Sequence, residues 1–76
     1  MEKISLKHLR ASLGLTQKQL AEAARISEKA VLDIETGKSR PRLITAYAIV
    51  GALNVRLKEA GREEVTIESL DWSPLG

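Results

Sequence analysis

Two helix-opening signatures stand so close together that the chain between them has room only for one short helix and a tight turn. Thr16 lies three residues before Gln19, the spacing at which each side chain satisfies a backbone N–H of a new helix, and Leu15 and Leu20 bracket it as a hydrophobic staple. The same grammar returns at Ser27, with Ile26 and Val31 as the next staple. One helix is therefore expected from Thr16 through Leu20, Ala21 and Ala24, and another from Ser27, with small Ala21 at the point where they cross. Two helices joined by about three residues have the spacing of a helix-turn-helix, whose second helix can enter a major groove.

The flanking segments read as further helices. Leu6, Leu9 and Leu13 recur at i, i+3 and i+7 behind the N-cap residue Ser5, and this first helix stops at Gly14. The helix from Ser27 presents Val31 and Ile34 to the core and ends at Thr36-Gly37, where glycine takes the left-handed conformation that closes a helix. After the loop from Lys38 to Arg42, a fourth helix is expected over Leu43–Leu53, apolar at almost every position and so covered on more than one side. Past Asn54 the pattern alternates in Val55, Leu57 and again in Val65, Ile67, with Gly61 between them, which reads as short strands.

Composition narrows the class. The 76 residues support one core and no second, since a chain of this size buries only about 60% of its unfolded surface. Phe is absent and Trp and Tyr occur once each, so the core is aliphatic and helices are favoured over a sandwich. There is no Cys, and neither a long apolar run nor a leader pattern occurs, so disulfides and membrane insertion are not expected and the cytoplasm is the expected location. Residues 1–54 carry nine Lys or Arg against five acids and residues 55–76 three against five, a basic front and an acidic tail. The sole histidine, His8, has no acidic neighbour at helical spacing, no phosphate loop occurs and no carboxylates cluster. Catalysis, a cofactor and a bound metal are all unexpected.

The stretch from Leu9 to Val55 resembles the Cro/cI-type helix-turn-helix family of bacterial and phage repressors. The resemblance is carried by Leu9-Arg10, Gly14-Leu15-Thr16-Gln17, Gln19-Leu20-Ala21, Ile26-Ser27, Val31, Ile34-Glu35-Thr36-Gly37-Lys38, Pro41 and Leu53. It implies an all-α, four- to five-helix lambda-repressor-like domain over residues 1–55, with residues 56–76 as a C-terminal extension that adds a short strand or hairpin. It also implies a DNA surface. Gln17 resembles a phosphate clamp at a helix N-terminus, and Ser27, Glu28, Lys29 and Asp33 lie on the face that similar repressors turn to base edges. Lys38, Arg40 and Arg42 match loop positions that touch phosphates. Arg10 and Glu35 match an ion pair that ties the first helix to the third. Arg25 departs from the family, which has glycine in that turn, and Leu32 is an apolar departure on the outward side.

The outer side of the fourth helix, Ile44, Tyr47 and Ala48, together with Val55 and Leu57, is the expected homodimer interface, which would set two recognition helices on a palindromic operator. Asn54-Val55-Arg56-Leu57-Lys58 resembles the strand that HipB-type antitoxins exchange, and the segment with Leu70 and Trp72 is similar to their tail that contacts a toxin kinase. Three functions are thus open: a dimeric repressor that is also an antitoxin, a phage or plasmid repressor without a toxin partner, and a helix-turn-helix interaction module that does not bind DNA.

Overall fold

Each of the first three helices begins at a hydroxyl. In the computed structural model, which describes residues 3–72, the Ser5 side chain accepts the His8 N–H at 2.9 Å and opens α1 (Leu6–Ser12). Thr16 and Gln19 form the reciprocal capping box of α2 (Gln17–Ala24), with N–H to oxygen distances of 3.0 and 2.9 Å. Ser27 accepts the Ala30 N–H at 3.0 Å and opens α3 (Glu28–Glu35). The fourth helix, α4 (Leu43–Glu59), starts after Pro41 and Arg42 with no side-chain cap. Its beginning is set by the proline and by the apolar run that follows.

Helix ends are as repetitive as helix starts. After α1, α2, α3 and α4 the chain makes the same pair of backbone hydrogen bonds, seen at α4 as Arg62 N–H to the Leu57 carbonyl at 2.8 Å and Gly61 N–H to the Lys58 carbonyl at 3.0 Å. This is the Schellman closure, which needs a left-handed residue just past the helix. Gly14, Gly37 and Gly61 supply it after α1, α3 and α4, with φ of 72°, 79° and 70°. After α2 the residue is Arg25 at φ 60°, the one non-glycine with positive φ among the described residues. The turn between α2 and α3 therefore keeps the geometry that glycine would give and carries a backbone cost for it.

The four helices enclose one aliphatic core in which Leu20, Val31, Ile49 and Leu53 are fully buried and Ala21 of α2 is buried with them. Two expectations are corrected here. The fourth helix does not stop at Leu53: Leu57, four residues on, continues its inward face and is buried, so burial carries the helix past Asn54 until Gly61 ends it. Val55 and Leu57 are accordingly helical. Val65 and Ile67 do not pair as a strand either. The Val65 N–H and carbonyl bond instead to the Asn54 side-chain amide at 2.8 and 2.9 Å, and Ile67 opens a single 3-10 turn, Ile67–Ser69.

The short strands lie elsewhere. β1 (Ile4–Ser5) pairs in parallel with β2 (Leu70–Asp71), Ile4 opposite Leu70 and Ser5 opposite Asp71. The division expected at residue 55 falls inside α4, and Leu57 and Leu70 share the core with Leu20 and Val31. Positions 73–76 of the expected extension lie outside the described residues.

The helix closures make a paired prediction. Arg25→Gly relieves a left-handed cost of about 1–2 kcal/mol and loses part of it to chain entropy, for a net gain of about 0.5–1 kcal/mol. At Gly14 an added Cβ would meet nothing within 4 Å, so Gly14→Ala loses about 1 kcal/mol through the backbone alone. Urea midpoints should move in opposite directions. Movement in the same direction would contradict the account.

Candidate nucleic-acid interface

Helical geometry turns α3 so that Val31 and Ile34 face the core while Lys29, Leu32, Asp33 and Thr36 point away from it, with Glu28 at the flank. The Lys29 side chain is 78% exposed, and its ammonium donates to Asp33 Oδ2 at 3.0 Å one turn further on. The Ser27 hydroxyl is occupied by capping. Glu28 sits in the first turn, where the helix dipole favours a carboxylate. The Thr36 hydroxyl donates to the Leu32 carbonyl at 2.8 Å. The loop then wraps the end of α3, with the Lys38 and Ser39 N–H groups both donating to the Asp33 carbonyl at 2.8 and 3.2 Å. Lys38, Arg40 and Arg42 are exposed in succession beside it.

Behind this face lies an ionic cluster. Arg10 from α1 donates through Nε to Glu35 Oε2 at 2.6 Å and through Nη2 to Oε1 at 3.2 Å, a two-pronged pair at the last residue of α3. Its Nη1 donates to the Leu15 carbonyl at 2.7 Å. The Glu35 side chain is only 1% exposed and that of Arg10 11%. Gln17, the first residue of α2, donates its amide Nε2 to Glu35 Oε1 at 2.9 Å. The amide expected at a phosphate is thus held by the same carboxylate that anchors α1. Sequence reasoning did not reach that bond, because Gln17 and Glu35 are far apart along the chain and neither residue type demands the other.

The remaining expected site residues divide by burial. On α4, Ile44 is 77%, Tyr47 61% and Val55 59% exposed. Ala48 is half-buried and packs against the core. Leu57, expected at a dimer interface, is buried within its own core because it lies on the inner side of α4. Leu70, expected to meet a partner, is fully buried in β2. Trp72 packs against the core and donates its indole N–H to the Ile67 carbonyl at 2.9 Å. The segment from Asn54 to Lys58, read as an exchanged strand, is helix throughout. Among the described residues no helix is long and apolar enough to cross a membrane.

A short helix crossing a second, outward-turned helix over one aliphatic core is the architecture of a helix-turn-helix domain, and the family model described as helix-turn-helix matches residues 6–60. The chain belongs to this family, the Cro/cI type, a class of DNA-binding transcription regulators and not of enzymes. It is 38% identical over 63 residues to the immunity repressor protein of Bacillus phage phi105, a match covering 83% of this chain and 44% of the repressor. This chain thus spans less than half of that repressor's length. It is also 32% identical over 54 residues to an HTH-type transcriptional regulator of Archaeoglobus fulgidus, covering 71% of this chain and 77% of the regulator. A third relative, an HTH-type transcriptional regulator of Methanothermobacter thermautotrophicus, is 38% identical over 56 residues, covering 74% and 71%. No solved structure gives a significant match.

Removing one partner of the buried pair strands the other charge. Arg10→Ala should therefore destabilise the domain by about 3 kcal/mol and lower its melting temperature by at least about 12 °C. A fall of a degree or two by calorimetry would contradict the structural role of the pair.

Proposed function

We propose that this protein is a sequence-specific transcriptional repressor that binds a palindromic operator as a homodimer, with α3 in the major groove. The observation that carries this reading is the outward face of α3: Glu28 and Lys29 are exposed at its start, and Lys38, Arg40 and Arg42 stand exposed just past its end. Base edges would be met by Glu28, Lys29, Asp33 and the hydroxyl hydrogen of Ser27, whose oxygen caps α3, and phosphates by the second amide hydrogen of Gln17 and the three loop cations. The Lys29–Asp33 pair presents a donor and an acceptor side by side, the combination that a guanine next to a cytosine can use. Glu28 and Asp33 also repel phosphate whatever the sequence, so a site that offers no base donor such as the cytosine amine to offset that repulsion binds more weakly.

The dimer is proposed to form through the outer side of α4. Ile44, Tyr47, Ala48, Gly51 and Val55 fall on one stripe of the helix, about half a turn from the buried Ala46, Val50, Leu53 and Leu57. Gly51 costs helix stability at an exposed position where a Cβ would meet nothing within 4 Å of its own chain. Close approach of a second α4 gives that glycine a use. A two-fold pair would then set its α3 helices about 34 Å apart, in successive major grooves.

Repression without a toxin partner is the form proposed. Leu70 is committed to the core and Trp72 to its own backbone, so neither is offered to a partner kinase. The immunity repressor relative favours the same form. The protein would act in the cytoplasm, beside the DNA that it regulates.

Two measurements test this reading. Binding to duplex DNA, followed by fluorescence anisotropy, should weaken steeply with salt, log K falling by about 0.9 for each phosphate neutralised per decade of salt. Absence of binding to any duplex at low salt would leave an interaction module instead. For the dimer, Tyr47→Glu places a charge in the apolar stripe and should halve the sedimenting mass. An unchanged mass removes α4 from the interface.

A further inference from the structure

We infer that Leu32 is a base-reading residue, which packs against the 5-methyl group of thymine in the major groove. This rests on the reading of α3 as the groove-facing helix. Leu32 is 44% exposed and lies on the outward side of α3, one turn after Lys29 and one turn before Thr36 along the axis, with Asp33 adjacent. Its neighbours are polar: Lys29 Nζ donates to Asp33 Oδ2 at 3.0 Å, and the Thr36 hydroxyl donates to the Leu32 carbonyl at 2.8 Å. Among them the isobutyl group is the one large apolar surface. Single exposed leucines are ordinary on proteins. This one differs in standing among the charged and polar side chains of a face that is otherwise suited to hydrogen bonding.

The major groove offers such a side chain few companions. Guanine and adenine present N7, O6 and N6, cytosine presents its N4 amine, and only thymine adds a sizeable apolar group, the C5 methyl. Pressed against a purine edge, the leucine would strip water from acceptors without replacing their hydrogen bonds, which is costly. Pressed against thymine, it buries a methyl group and leaves O4 free for a neighbour. The same side chain thus favours one base and disfavours the others, and specificity needs both.

The test uses the full chain. Operators are selected from a randomised duplex pool, and each thymine of the enriched duplex is replaced in turn by deoxyuridine, which lacks only the 5-methyl group. Affinities are measured for the unchanged protein and for Leu32→Ala, which should stay folded with only a modest fall in melting temperature because Leu32 lies outside the buried core. At one position in each half-site, deoxyuridine should weaken the unchanged protein about three- to fivefold, as expected for one methyl-sized group, and leave Leu32→Ala unaffected. Deoxyuridine that costs nothing at any position, or costs both proteins equally, overturns the inference while the DNA-binding reading stands. So do enriched half-sites that contain no thymine. A pool in which no sequence is enriched removes both.

Discussion

The carboxylate of Glu35 joins three parts of the molecule that share no sequence neighbourhood. It stands on the last residue of α3, receives two donors from Arg10 on α1, and receives the amide of Gln17 at the first turn of α2. Arg10 extends the network to the Leu15 carbonyl in the turn between α1 and α2. Buried this deeply, a carboxylate without its partners would carry a penalty of several kcal/mol, on the order of 3–5 by the loss of one partner. The arrangement is therefore nearly all-or-none: while α1 is in place, the start of α2 and the end of α3 are held in fixed relation, and those are the two places where a groove-reading helix must be positioned against the phosphates on either side.

The rest of the architecture divides the surfaces. The inner faces of α2 and α3 and one side of α4 are spent on the aliphatic core, and the chain beyond α4 returns to close it, with Leu70 filling the base and β2 pairing with β1. That closure leaves two outward surfaces with distinct chemistry, the charged face of α3 with its cationic loop and the apolar stripe of α4. In the reading proposed here the first meets DNA and the second meets another copy of the chain. Stability and function thus rest on opposite sides of the same helices, so outward substitutions can change recognition without loosening the core.

Much of this was legible in the sequence, for local reasons. Ser5, Thr16 and Ser27 announce helices because a hydroxyl at that position has a backbone N–H to satisfy, and Gly14 and Gly37 announce their ends because the closure needs a left-handed residue, whereas Gly61, which closes α4, reads in the sequence as a break between strands. The turn at Arg25 carries no such mark, and only the next cap, Ser27, revealed it. The end of α4 was misread because Asn54 looks like a stop, whereas the burial of Leu57 depends on what packs against it. The alternation at Val65 and Ile67 suggested strands, whereas Val65 is held by the Asn54 side-chain amide and Ile67 opens a 3-10 turn, contacts that depend on where α4 lies. Pairing of Ile4 with Leu70 joins the two ends of the described chain, and no local pattern encodes it. For the candidate site, the family resemblance pointed to the Arg10 and Glu35 positions and to the outward residues of α3, but the bond that draws Gln17 into the ionic cluster is long-range geometry.

The account turns on which surface meets the nucleic acid. Backbone amide shifts of isotopically labelled protein, recorded by NMR during titration with duplex operator, address that directly. The account predicts shifts concentrated at Gln17, across 27–33 and through Lys38–Arg42, with the amides of β2 and the tail segment 62–72 left in place. Shifts confined to the tail or to the outer side of α4, with those of α3 unmoved, would contradict it.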